Sequence, residues 1–186
     1  MKTAYEIFKD ALSPDKHSRI KLLGDSITHG VGGTGFNQNG YAFIDKYARN
    51  PDGYCWANKF KIHMEETFDC SVIINACTGT NIEFIIKNFD VLVDNEDDVI
   101  ICTIGTNNRH VSFKAGEKPT REELGTKFYH NIVKLHQMFV QAEKDVIFVA
   151  NIPASAEREK DGEDYWRILH MDDINAIYND YRMSRN

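Results

Sequence analysis

A basic surface is the first thing missing. The 186-residue chain carries 22 Lys plus Arg against 28 Asp plus Glu, a formal net charge of −6. The cationic footprint that tracks nucleic-acid phosphates is therefore absent, and the expected partner is a small neutral molecule. Long apolar runs are missing as well. No stretch approaches the roughly 18 uninterrupted apolar residues that cross a bilayer, and the opening MKTAYEIFKDALSPDKHSRIKLLG lacks an apolar signal core. A soluble, cytoplasmic protein with no membrane partner is expected. Cys55, Cys70, Cys77 and Cys102 show no Cys-x-x-Cys spacing. Three of them lie in or beside apolar stretches, which points to reduced, mostly buried thiols rather than a metal site or disulfide framework. With only 4 Pro and 12 Gly, and no repeat or linker, the composition fits one globular domain over 1–186. Walker and His-Glu-x-x-His motifs are also lacking, so phosphate cradling and zinc chemistry lose their usual supports. No cofactor is expected.

What is present is alternation. Four short apolar runs, 19–24 (RIKLLG), 71–75 (SVIIN), 98–105 (DVIICTIG) and 145–151 (DVIFVAN), read as strands. Continuous Ile/Val/Leu suits strands covered on both faces. Helical patterns fill the gaps at 54–68, 81–93, 120–142 and 164–181. The third opens on Thr120-x-x-Glu123 just after Pro119, a capping box, and Asp161 or Asp164 is the candidate cap of the last. Strand and helix in alternation predict an α/β fold, a flavodoxin-like three-layer α/β/α sandwich with a parallel sheet. In such sheets function gathers at the carboxyl ends of the strands.

Three of those ends carry chemistry. The first strand runs into Gly24-Asp25-Ser26-Ile27-Thr28-His29-Gly30. Ser26 there is either a nucleophile at the sheet edge, which needs a base and an oxyanion hole, or the N-cap of a helix. The second ends in Asn75-Ala76-Cys77-Thr78-Gly79-Thr80, where Gly79 either admits a substrate close to a bare N–H or simply makes a turn. The third ends in Gly105-Thr106-Asn107-Asn108-Arg109, where Asn107 either aims its amide at developing negative charge or closes an Asx-turn or cap.

Taken together, the three blocks resemble the SGNH hydrolases, the GDSL-type lipase/acylhydrolase family. Gly24-Asp25-Ser26-Ile27-Thr28 matches the first family block and Gly79 the glycine of the second. Gly105-Thr106-Asn107-Asn108 matches Gly-x-Asn-Asp, with Asn108 where aspartate is usual. The resemblance implies Ser26 as nucleophile, with an oxyanion hole formed by the N–H groups of Ser26 and Gly79 and the amide of Asn107. Asp25 and Asn108 neighbour that site. The family's last block, Asp-x-x-His, supplies the base and its orienter. It is absent, since the residues three before the histidines are Pro14, Ser26, Phe60, Asn107, Lys127, Val133 and Arg167. The expectation is a chain that lacks the last strand and the histidine beyond it. His29, His110 and His170 are substitutes to be weighed.

The function expected is serine esterase or acylhydrolase action through an acyl-enzyme on a small acyl ester, such as an acetylated carbohydrate. A same-fold acyltransferase or a non-catalytic binding module are the alternatives. Gly30-x-Gly32-x-x-Gly35 has the dinucleotide-binding spacing but begins several residues past the strand, so it reads instead as a cleft rim with Phe36 and Tyr41 as contacts. The acidic run 94–98 reads as a solvated turn before a strand.

Overall fold

Alternate residues of the first strand serve two different cores. The computed structural model describes residues 2–35, 50–109, 117–152 and 167–185. In it, β1 (Ser18–Gly24) sends Ile20 and Leu22 to one face and Leu23 to the other. It lies in a parallel sheet with β2 (Cys70–Ala76), β3 (Val99–Thr103) and β4 (Asp145–Phe148), in the order β2-β1-β3-β4. Helices α1 (Ala4–Ala11), α2 (Ser26–His29) and α3 (Trp56–Thr67) precede β2. One core packs Ile7 and Ala11 of α1 and Ala57 and Met64 of α3 on Ile20, Leu22, Val72, Val99 and Ile101.

The opposite face is covered by α4 (Ile82–Lys87), α5 (Phe89–Leu92), α6 (Arg121–Gln141) and α7 (Met171–Met183). Their Ile85, Phe89, Ile132, Phe139 and Ile174 pack with Leu23, Ile100 and Cys102. Three layers result, as the alternation predicts. A fully buried aliphatic such as Ile132 contributes on the order of 2–5 kcal/mol against alanine.

Local chemistry explains where elements start and stop. The predicted capping box at Thr120 is present, with Glu123 N–H on the Thr120 hydroxyl and the Glu123 carboxylate on the Thr120 N–H. Thr3 and Glu6 build the same device for α1, a helix the strand-led reading passed over although its Thr-x-x-Glu signal is in the sequence. The expected single helix over 81–93 is two. Asn88 leaves helical geometry and its side chain bonds back to Phe84 O at 2.8 Å, the competition with the backbone that makes asparagine a poor helix interior residue. α7 begins at Met171, with Asp173 accepting from His170 N–H at 2.7 Å; the candidate caps Asp161 and Asp164 lie outside the described residues. The acidic run does form a turn before β3, but Asp97 is fully buried rather than solvated. All four cysteines are free thiols, and Cys55, Cys70 and Cys102 are buried. Burial pushes the Cys102 thiol far up. Among the described residues, no helix is long and apolar enough to cross a membrane.

Candidate active site

Register decides which turns become neighbours. Gly24 stands opposite Ala76 of β2 and Thr103 of β3, on strands about 4.8 Å apart. Ser26 follows Gly24 by two residues, Gly79 follows Ala76 by three, and Asn107 follows Thr103 by four. All three turns thus leave the same edge of adjacent strands, and Cys77 N–H donates to Gly24 O at 3.2 Å as β2 departs.

The first turn is shaped by Asp25. It is the N-cap of α2, its Oδ1 accepting from Ile27 N–H at 2.9 Å, and it is 1% exposed. Ser26 is therefore the first helical residue rather than the cap. It is half-buried, its N–H is one of those a helix leaves unused at its start, and its hydroxyl has no hydrogen-bond partner among the described residues. Burial raises the Asp25 carboxyl above its ordinary value, partly offset by the Ile27 N–H. Gly24 has no room for a side chain, because a Cβ there would run into the hydroxyls of Thr28 and Thr103, which bond to each other.

Gly79 adopts φ +79° in the second turn, is exposed, and a Cβ there would meet nothing within 4 Å. The third turn is a single 3-10 turn over Thr106–Arg109. Asn107 Nδ2 donates to Thr80 O at 2.8 Å, which ties the third turn to the second and leaves its other N–H for a ligand. Asn108, standing where the family has aspartate, accepts from Ile82 N–H at 3.0 Å and donates to Glu83 Oε2 at 2.7 Å. A carboxylate could not make that second bond, so Asn108 and Glu83 fit one another as a pair. Burial pushes the Glu83 carboxyl up, but hydrogen bonds from its own N–H, Lys127 and Asn108 outweigh this and hold it below its ordinary value.

Asn151, just past β4, is a residue that sequence reading passed over. Its Oδ1 accepts from the Thr106 hydroxyl at 3.1 Å and its Nδ2 donates to Ile104 O at 2.9 Å, steadying the turn that carries Asn107. The signal available was an asparagine at the end of a fourth strand, the same position that Asn107 holds near the third. On this edge lies a cavity of about 160 Å3 lined by Asp25, Ile27, Trp56, Thr103 and residues 149–152.

The histidines are dispersed. His29 is buried and its Nδ1–H donates to Ala76 O at 3.1 Å. His170 precedes α7 as its N-cap. His17 sits at the amino edge of the sheet with Asp69 and Ser71, and His136 is bonded to Tyr181. His110, Phe36 and Tyr41 lie outside the described residues. Gly30, Gly32 and Gly35 all have positive φ in the turns that follow α2, not in a strand-to-helix turn. Among the described residues, no group of three or more His, Cys, Asp or Glu could hold a metal ion.

No family model and no curated protein matches the sequence. Solved structures do match the fold. A protein named as a GDSL-like lipase from Parabacteroides merdae aligns with a TM-score of 0.61 at 15% identity, over 93% of this chain and 76% of its own. A lipase/acylhydrolase from Enterococcus faecalis aligns at 0.57 and 16% identity, over 91% and 73%. The acetylxylan esterase Axe2 from Geobacillus stearothermophilus aligns at 0.55 and 14%, over 90% and 72%. With its parallel four-stranded sheet between two helical layers, the chain has the α/β three-layer fold of the GDSL-type lipases and acylhydrolases.

Proposed function

We propose that this protein is a serine esterase or acylhydrolase that works through an acyl-enzyme on a small acyl ester, an acetylated carbohydrate being the leading class. The observation that carries the reading is the Asn107–Thr80 bond at 2.8 Å, taken with the register that sets Gly24 between Ala76 and Thr103. Three turns bearing a serine, a glycine and an asparagine leave one sheet edge, and two of them are bonded together. Ser26 Oγ attacks the carbonyl carbon. The Ser26 and Gly79 N–H groups and the Asn107 amide receive the oxyanion, as three donors aimed at developing charge do in acyl transfer. The 160 Å3 cavity beside Asp25 suits an acetyl-sized group. The carbohydrate class rests on the acetylxylan esterase among the fold neighbours. A histidine acting as base takes the hydroxyl proton and returns it to the leaving alkoxide.

The test is p-nitrophenyl acetate turnover by the protein. Ser26→Ala is expected to abolish turnover, and Asn107→Ala to lower kcat by about 10²–10³-fold. Equal rates for wild type and Ser26→Ala would end the proposal.

A further inference from the structure

The amino edge of the sheet carries a second nucleophile arrangement. The β1–β2 register pairs Ser18 with Cys70 and Arg19 with Ser71, which places His17 beside Asp69 one step earlier. Side chains alternate along a strand. Ser18 and Cys70 are buried on the α1 and α3 side, so His17, Asp69 and Ser71 share the other face. Asp69 and Ser71 stand about 7 Å apart along the strand, a gap one imidazole bridges. His17 Nδ1 lies 2.6 Å from Asp69 Oδ1, and Nε2 lies 2.8 Å from Ser71 Oγ. The carboxylate only accepts, so Nδ1 carries the proton and Nε2 accepts from the Ser71 hydroxyl. Nucleophile, base and orienter are thus in line.

Two residues further along the same face, Ile73 opens onto a groove of about 640 Å3 that Phe84, Val91 and Leu92 also line. Val91 is 81% exposed there and Phe84 38%. An apolar trough therefore starts one side-chain step from a hydroxyl that is hydrogen-bonded to a base.

We propose that Ser71 is an acyl-acceptor site for activated esters with an apolar acyl chain, with His17 as base, Asp69 as positioning residue and the β2 groove as the seat of the chain. The Ser71 oxygen bonds to the acyl carbon as the bond from that carbon to the leaving alkoxide breaks. The hydroxyl proton passes to His17 Nε2 and on to the departing alkoxide. The neighbouring Val72 N–H is already held by Glu65 Oε1 at 2.7 Å, so it does not serve as an oxyanion donor. With no such donor, acylation depends on the activated leaving group, and the unactivated acyl-serine that results accumulates instead of turning over.

The experiment uses Ser26→Ala protein, so the Ser26 reading neither helps nor harms it. After exposure to p-nitrophenyl octanoate, peptide mass mapping is expected to find octanoyl on Ser71 at least about tenfold faster than on the exposed Ser184. His17→Gln and Asp69→Asn are each expected to remove about tenfold, and Asp69→Glu to restore the rate. Val91→Asp is expected to slow octanoylation while sparing acetylation by p-nitrophenyl acetate. The His17 and Asp69 side chains are 56% and 69% exposed, so these variants keep the fold, which unchanged melting verifies. Labelling of Ser71 no faster than of Ser184, or unaffected by His17→Gln, overturns the site. Equal losses of octanoyl and acetyl labelling in Val91→Asp overturn the groove.

Discussion

Asp25 lies beneath the turn that presents Ser26, with one carboxylate oxygen capping α2 and almost no exposure to water. Burial raises its proton affinity, so the folded protein holds that proton more tightly than the unfolded chain does. The stability this contributes is full below the ordinary carboxylate range and is lost as pH rises through the raised folded value. Asn caps as well as Asp. Asp25→Asn is therefore expected to be the more stable protein at pH 8 and to converge on wild type toward pH 4, read as urea midpoints. Parallel curves would show that Asp25 does not carry the effect. The sequence placed Asp25 next to the site but offered only Ser26 as the helix cap, whereas Asp25 is the cap. Both residue types cap well, and the choice depends on where the strand stops, which only pairing with β2 and β3 fixes. Asn108 was legible as a departure from the family pattern. Its reason was not, because Glu83 lies 25 residues earlier in the chain.

Strands were the most legible elements because continuous Ile and Val runs mark a covered sheet, and all four lie within a few residues of where they were expected; β1 and β3 are buried on both faces, but the edge strands β2 and β4 are only partly so. The loop before β3 shows why charges read less well. Lys21, 2% exposed in the middle of β1, places its ammonium 2.6 Å from Asp97 Oδ2 and 2.6 Å from Asp94 Oδ2. Arg19 joins the same cluster through Asp94, Glu96 and Asp97. A run of acids next to no base looks solvated until the fold brings a strand from more than 70 residues away. Removing one partner of a buried pair strands the other charge. Lys21→Met is accordingly expected to cost about 3 kcal/mol in chemical denaturation, with Arg19 Nε, 3.0 Å from Asp97, holding the loss toward the low end. A loss under 0.5 kcal/mol would mean that water already reaches the cluster. The break at Asn88 was also illegible, since the amphipathic pattern runs on across it.

At the scale of the molecule, the sheet divides the protein into two cores, and the larger is closed at β4 by an aromatic cluster. Phe139, Phe148, Tyr178 and Tyr181 meet His136 there, joining α6, β4 and α7. Burial depresses the proton affinity of His136, so its contribution is present above the ordinary histidine range and is lost as pH falls through the folded value. The melting temperature is expected to fall between pH 7 and pH 5, and His136→Gln to show a shallower fall. Identical slopes would exonerate the cluster. Alternation in the sequence predicted a parallel sheet and pointed to its carboxyl edge. The order β2-β1-β3-β4 is the one the expected flavodoxin-like sheet carries over its first four strands.

That order gives the missing side chain at Gly24 its importance. Thr28 and Thr103 clasp hydroxyls across it, and they are how the helix bearing Ser26 grips the strand leading to Asn107. Gly24→Ala wedges a methyl into the clasp while both cores stay filled. Such a protein is expected to lose on the order of 1–3 kcal/mol of stability and, under the proposed chemistry, to acylate poorly, its attacking oxygen held slightly out of reach of the amide meant to steady the transition state.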